Sequence, residues 1–535
     1  MRPPQIVIEA GGRLLLNKPM AKTPAPSFLE KRYPFVFFSF FYFLFTALTY
    51  KDFGETWDES GVYTRGMVLG RYLWDGEWMG LLHKAAPDDG MVLYDHWYAW
   101  VLSLLNPSAG IDYYHWLNLG FGFLLFAAAY ELALAELQKP WAALLAPLFL
   151  FLTPRLTGDL PANPKDGPFA TLYLLSLAAV FLAGRKPFPG PVKILVLGLF
   201  FGLTISQRLV GFTLFLVWPL HEWLQGRRAA PGKKTNPPRP AFWGETLPTL
   251  LLVFLGANFI LVATWPYLGA DYFHRLLELL TAAQNYPWSN PVLFMGREIP
   301  APDLPRTYLP VFLLVTTPLF LLGWAAASFG ALKNGRARPL GSLLTLALGV
   351  NLGLYLLLKP VVYDGLRHFL FLLPLIGILA ALAFGEFLAS RRRPTGLGWA
   401  LVALTGLGAG LTALDMARLH PYEYVYFNEL AGGLKGAQKN FETDYWGASY
   451  KEAVEWVAGL TPGNANQPVT LTASGNSYQL APYCPNNFHW TDDRAQADYY
   501  LTTTRDGKDK LEDPSKIVHV VEREGVPLCY VFKLR

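Results

Sequence analysis

The chain is constrained most by a series of about eleven apolar runs, each near the length that crosses a bilayer. They lie at roughly 34-50, 115-137, 141-153, 169-184, 194-207, 209-224, 247-267, 310-330, 341-358, 369-389 and 397-415. Lipid offers no partner for a backbone N–H or C=O, so such runs must be helical. They predict an all-α polytopic membrane protein of about 11 transmembrane helices. The run at 141-153 is short and borrows flanking residues, and the two runs that meet at Gln207 and Arg208 turn tightly there. Mean hydropathy is +0.25, too low for a chain embedded throughout, so a large polar part lies outside the lipid.

Lysine and arginine orient the spans. The connections RKPFPGPVK, QGRRAAPGKKTNPPRP, ALKNGRARPL and SRRRPTG hold fourteen basic residues and no acid, which makes them cytoplasmic. The N-terminal arm, 1-33, carries Arg2, Arg13, Lys18, Lys22, Lys31 and Arg32 and belongs on the same side. The connection 51-114 has ten acids against four basic residues and faces outward, as do the connections 154-168, 268-309 and 359-368. An odd span count then puts the C-terminus outside. The membrane domain is 34-415, and 416-535 is a small outer-face α/β domain: ASYKEAVEWVAGL has helical spacing, VTLTAS and ADYYLTTT read as strands, and KIVHVVEREGVPLCYVFKL reads as a hairpin turning at Glu524-Gly525.

Several chemistries drop out. Cys484 and Cys529 are too few for a disulfide scaffold and too far apart for a zinc ribbon; a single pair and two buried thiols both remain open. The net charge of +5 is segregated between two faces and does not form a nucleic-acid patch. Walker, GxGxxG, HExxH and GxSxG motifs are absent, and no cofactor is called for, although a divalent metal is left open. Charge is scarce at span centres, since Glu131, Glu136 and Glu222 lie toward span ends and Asn258 and Asn351 are neutral, which disfavours coupled transport.

Polar density collects in the outer connections. Asp58-Glu59 follows the first span and reads either as a solvated acidic turn or as a general-base pair at an apolar boundary. Beyond it, 61-80 is aromatic-rich and suits a segment lying flat at the headgroups. Asp95-His96 is a capping pair or a ligand for phosphate or metal. PRLTGDLPANPKDGPF, read as an irregular loop, carries Arg155, Lys165 and Asp166, with Asp166 a helix cap and the two cations candidates for phosphate oxygens. The connection 265-310 is long enough for an interfacial helix and a proline-rich cover. Arg367-His368 stands at the mouth of the tenth span as a snorkelling anchor or a second phosphate clamp.

Taken together, Asp58-Glu59, Tyr94-Asp95-His96, PRLTGDLPANPKDGPF and YDGLRHFLFLLP resemble, in order and position, the GT-C class of polytopic glycosyltransferases that use polyprenyl-phosphate sugars. The nearest likenesses are the protein O-mannosyltransferases, with bacterial members of the family 39 type, and the lipid A aminoarabinose transferases. The mannosyl enzymes have a proline where Asp95-His96 runs into Trp97-Tyr98. HPYEYVYFNELAGG and FETDYWGASYKEAVEWV also look like segments of such bacterial proteins, with no role attached.

The resemblance implies an integral protein of a prokaryotic plasma membrane. Its expected partners are a polyprenyl-phosphate-linked sugar and a lipid, glycan or protein acceptor. It further implies that Asp58, with Glu59 beside it, activates the acceptor for an inverting attack on the anomeric carbon, while Arg155, Lys165, Arg367 and His368 hold the departing phosphate. A flippase of lipid-linked sugar is the rival reading.

Overall fold

The computed structural model describes residues 6–8, 14–16, 31–63, 66, 97–98, 101, 110–185, 190–228, 246–269, 271–333, 338–390, 396–460 and 468–535. Asp95, His96 and most of the aromatic segment at 61-80 lie outside the described residues.

Every apolar run is helical. In chain order the helices are α1 (Tyr33–Thr49), α2 (Ile111–Leu137), α3 (Pro140–Phe151), α4 (Pro154–Ala162), α5 (Asp166–Arg185), α6 (Gly190–Gln207), α7 (Leu214–Arg228), α8 (Leu247–Thr264) and α9 (Tyr272–Gln284). A short hairpin follows, β1 (Pro291–Phe294) with β2 (Arg297–Pro300), and then α10 (Tyr308–Thr316), α11 (Leu319–Lys333), α12 (Pro339–Leu358), α13 (Leu372–Ala389) and α14 (Gly396–Leu419). Among the described residues seven helices are long and apolar enough to cross a membrane, and two bent pairs bring the number to nine. Those pairs are α3 with α4, bent by 67°, and α10 with α11, bent by 116°. α1 and α7, at 17 and 15 residues, are shorter than a straight crossing requires.

The first bend corrects the expectation of an irregular loop over 154-169. Pro154 occupies the first helical turn, where its missing N–H costs nothing, and α4 forms. All nine of its residues are buried, packed against α2, α5 and the turn Glu423–Val425.

Burial ranks the helices. α13 is the centre, touching α2, α3, α5, α11 and α12, and 72% of its apolar stretch is buried; α5 follows at 67%. α8 and α14 are only 17% buried and leave most of their apolar surface facing outward. The acids at helix ends are paired, Glu131 with Arg32 at 2.5 Å and Glu136 with Arg185 at 3.0 Å. α5 and α13, the two most interior helices, both begin beside the cavity described below.

The C-terminal part has helix α15 (Tyr450–Leu460) and strands β3 (Val469–Ala473), β4 (Phe488–Trp490), β5 (Tyr499–Thr503), β6 (Ile517–Arg523) and β7 (Val526–Lys533). They form one mixed sheet in the order β4-β3-β5-β7-β6. The β6–β7 turn is Glu524-Gly525, both with positive φ (53° and 72°), as an abrupt two-residue hairpin requires. Cys484 and Cys529 are free thiols.

Candidate functional site

The segment after α1 is built by a capping arrangement. In Thr56-Trp57-Asp58-Glu59, the Glu59 carboxylate accepts from the Thr56 N–H at 2.8 Å, which starts the helix beginning at Glu59. The Thr56 hydroxyl donates instead to the carbonyl of Ala162 at 3.0 Å, tying this turn to the end of α4. Glu59 is completely buried, accepts from the Tyr63 hydroxyl and lies 3.0 Å from His115 Nε2. It does not border the cavity; its neighbour Asp58 does. The pair expected to share one chemistry is therefore divided into a structural cap and a cavity carboxylate. Replacing Glu59 by Ala removes the cap and strands His115, so thermal melting should show a loss of about 1–3 kcal/mol, with turnover per folded molecule retained.

Lys165 is delivered by an Asx turn. Asn163 Oδ1 accepts from the N–H groups of Lys165 (3.1 Å) and Asp166 (2.8 Å), starting α5 and leaving the Lys165 side chain beside Asp58. Its Nζ is 3.1 Å from Asp58 Oδ1, and the other Asp58 oxygen receives Arg367 Nη1. Arg367 comes from the turn after α12, where Asp364 and Gly365 take consecutive left-handed conformations (φ 57° and 65°). The positive φ at Gly365 favours glycine, and a Cβ there would stand 3.1 Å from Arg155 and 3.4 Å from Phe312, close enough that both neighbours would have to give slightly. Arg367 Nη2 lies 3.0 Å from Asp364, and Arg505 of the C-terminal part reaches the other Asp364 oxygen at 2.6 Å. Arg208, at the end of α6, pairs with Asp166 at 2.5 Å.

These groups border a cavity of about 760 Å³. Its charged wall holds Lys165, Arg208, Arg367, Arg505 and Lys508 with Asp58, Asp364 and Asp506, a surplus of cations. Its apolar wall comes from α9 and the last turns of α12, with Leu280, Ala283, Leu354 and Leu358. The shape suits an amphipathic anion: a charged head against five cations, an apolar body against the helices.

Burial alone would raise the Asp58 pKa, but Lys165 and Arg367 hold it well below the usual carboxylate range, so Asp58 is ionised. His368 is neutral: burial lowers its pKa, and Arg367 and Arg208 lower it further. It borders the cavity as an uncharged hydrogen-bonding ring.

Of the residues singled out in the sequence, Asp58, Lys165, Arg367 and His368 meet at the cavity. Asp166 stands behind it and orients Arg208. Arg155, expected beside Lys165 at the phosphate, does not border the cavity. Because α4 is a helix rather than a loop, the seven helical residues that follow Arg155 carry the chain about 10 Å along the helix axis before it reaches Lys165. Arg155 is 2% exposed, donates to the Tyr426 carbonyl at 3.1 Å and stacks 4.7 Å from the centre of the Phe427 ring. It supports the Asp364-Gly365 turn from behind. Arg208, Arg505 and Lys508 were not singled out as site residues. Arg208 is a cation at the turn between two apolar runs, a feature the sequence displays; Arg505 lies in a domain whose sequence shows no link to the apolar runs.

Among the described residues no group of three His, Cys, Asp or Glu side chains is placed to hold a metal ion.

No protein-family model matches the chain, and no curated protein matches it. Its likenesses are to solved structures. The chain is similar to ArnT from Cupriavidus metallidurans bound to undecaprenyl phosphate: TM-score 0.49 and 12% identity over 94% of this chain and 98% of that one. The apo form of the same protein gives 0.49 and 13%, covering 93% and 97%. The archaeal oligosaccharyltransferase AglB from Archaeoglobus fulgidus, in complex with an inhibitory peptide and a dolichol-phosphate, gives 0.46 and 12%, covering 89% and 70%.

Proposed function

We propose that the protein is an integral membrane glycosyltransferase that moves a sugar from a polyprenyl-phosphate donor to an acceptor hydroxyl or amine at the outer face of a prokaryotic plasma membrane. The reading rests on one observation: a carboxylate and the cations that neutralise it border the same amphipathic cavity. Lys165, Arg208 and Arg367 take the donor phosphate, and the apolar wall takes the first isoprene units. The acceptor O–H or N–H gives its proton to Asp58. Its lone pair forms the new bond to the anomeric carbon, with inversion, as the carbon–oxygen bond to phosphate breaks. The electron pair leaves on the phosphate oxygen, where the cations stabilise the added charge.

Two cations on Asp58 make it a poor base in the empty site. An arriving phosphate draws Lys165 and Arg367 toward itself, so the proton affinity of Asp58 rises once the donor is seated. The base becomes competent when there is something to transfer. The sign can be tested. The profile of kcat/KM reports the free enzyme and should stay level until pH falls well below the ordinary carboxylate pKa of about 4. The profile of kcat reports the complex and should decline at a higher pH. Coincident acid limbs would contradict the coupling.

The flippase reading requires a polar path between the two faces. Among the described residues the charged clusters lie at helix ends and on the cavity wall, which favours the transferase.

A further inference from the structure

We propose that Arg505, carried by the C-terminal domain, is a positioning residue of the transfer site, fixing Arg367 against Asp58 through Asp364. The inference rests on the transferase reading and deepens it: the outer domain becomes part of the machinery.

The observation is an unbroken alternation of charge. Lys165 Nζ lies 3.1 Å from Asp58 Oδ1, Asp58 Oδ2 receives Arg367 Nη1, Arg367 Nη2 lies 3.0 Å from Asp364 Oδ2, and Asp364 Oδ1 lies 2.6 Å from Arg505 Nη2. Asp364 is fully buried and Arg505 is 4% exposed, so neither finds a substitute partner in water. A buried carboxylate that loses one of two guanidiniums draws the remaining one closer. Here that one is Arg367, and drawing it toward Asp364 moves it off Asp58 and off the phosphate position.

Arg505 is itself held more firmly than an ion pair demands. Its Nη1 donates to the Tyr445 carbonyl at 2.7 Å, and its guanidinium lies 4.3 Å from the centre of the Trp57 ring and 5.4 Å from that of Trp288. The Tyr445 carbonyl is aimed by Asp444, whose carboxylate accepts from the N–H groups of Trp446 (3.0 Å), Gly447 (2.8 Å) and Ser449 (3.1 Å) and from the Tyr424 hydroxyl (2.6 Å). Trp446, next in the chain, lies with its ring 5.6 Å from the Arg367 guanidinium. The FETDYWGAS segment thus gains a role: it is the rigid mount for Arg505 and a flat wall against Arg367.

The test uses the full-length protein in nanodiscs, a radiolabelled polyprenyl-phosphate sugar as donor, and Asp58→Asn as control. Arg505→Met should lower kcat about 100-fold, the size of losing one well-placed charge-stabilising donor, and raise donor KM by less than the roughly 10- to 100-fold expected for losing Arg367 itself. Arg505→Lys, which keeps the charge on Asp364, should recover at least about tenfold of that loss. Combining Arg505→Met with Asp364→Asn should be no slower than Asp364→Asn alone, because both cut the same chain. A kcat for Arg505→Met within about threefold of the parent overturns the proposal, as do losses that multiply in the double variant. A purely structural clamp would lower the melting temperature and the folded yield of the Met and Lys variants alike, leaving kcat per folded molecule unchanged. If Arg505→Met does not fold, the Lys variant and Asp364→Asn carry the same comparison. If Asp58→Asn itself transfers sugar normally, the transferase reading fails, a result distinct from failure of the Arg505 role.

Discussion

Asp58→Asn is expected to reduce sugar transfer about 100- to 10,000-fold while leaving polyprenyl-phosphate binding intact or somewhat tighter. Asn is nearly isosteric, so the turn capped by Glu59 and the Trp57 contacts persist. What disappears is the proton acceptor, whose contribution in general-base catalysis is typically about 100- to 10,000-fold. The binding effect has the opposite sign. Asp58 competes with the phosphate for Lys165 and Arg367, and a neutral amide competes less. Transfer rates with a radiolabelled donor and a titration with polyprenyl phosphate separate the two effects. A variant that transfers normally, or that loses lipid binding in step with turnover, contradicts the assignment.

Arg367→Met should harm binding and turnover together. Among the described residues Arg367 is the cation that pairs with both Asp58 and Asp364, and it also borders the cavity. Its removal takes a positive charge from the phosphate and leaves two carboxylates short of a partner. Breaking a buried pair on one side costs about 3–5 kcal/mol, part of which will appear as a lower melting temperature. Donor KM should rise about 10- to 100-fold and kcat fall about 100- to 1,000-fold. Arg367→Lys should restore little, because a point charge cannot reach two carboxylates at once as a planar fork does. Full rescue by lysine would mean that charge alone, not bridging geometry, is what the site needs.

How much of this could be read from the residues depends on range. Apolar runs and turn residues act locally, so the helices, the Glu524-Gly525 hairpin and the strands near 469-474 and 497-504 were legible in the sequence. Asp58, Lys165, Arg367 and His368, which meet at the cavity, are each a polar residue near the end of an apolar run, a local feature that the sequence displays. The misreadings have physical causes. The Pro and Gly content of PRLTGDLPANPKDGPF argues for a loop, but Pro154 and Pro161 sit at the first and last turns of α4 and burial against 423–425 stabilises the rest. The error carried Arg155 with it. Asp58-Glu59 was read as one functional pair, although the Thr56-to-Glu59 spacing is that of a capping box. Arg505 is 447 positions from Asp58, and only tertiary contacts join them.

The central claim, that this cavity transfers a sugar from a lipid phosphate, is tested most directly by one assay. The purified protein in sealed proteoliposomes is incubated with a panel of radiolabelled polyprenyl-phosphate sugars and an envelope extract, beside the Asp58→Asn variant, and the labelled product is identified. The account predicts a new glycosidic product from the parent protein, release of polyprenyl phosphate, and no product from the variant. Label that moves between leaflets without forming a glycosidic bond, or a product formed equally by Asp58→Asn, would contradict it.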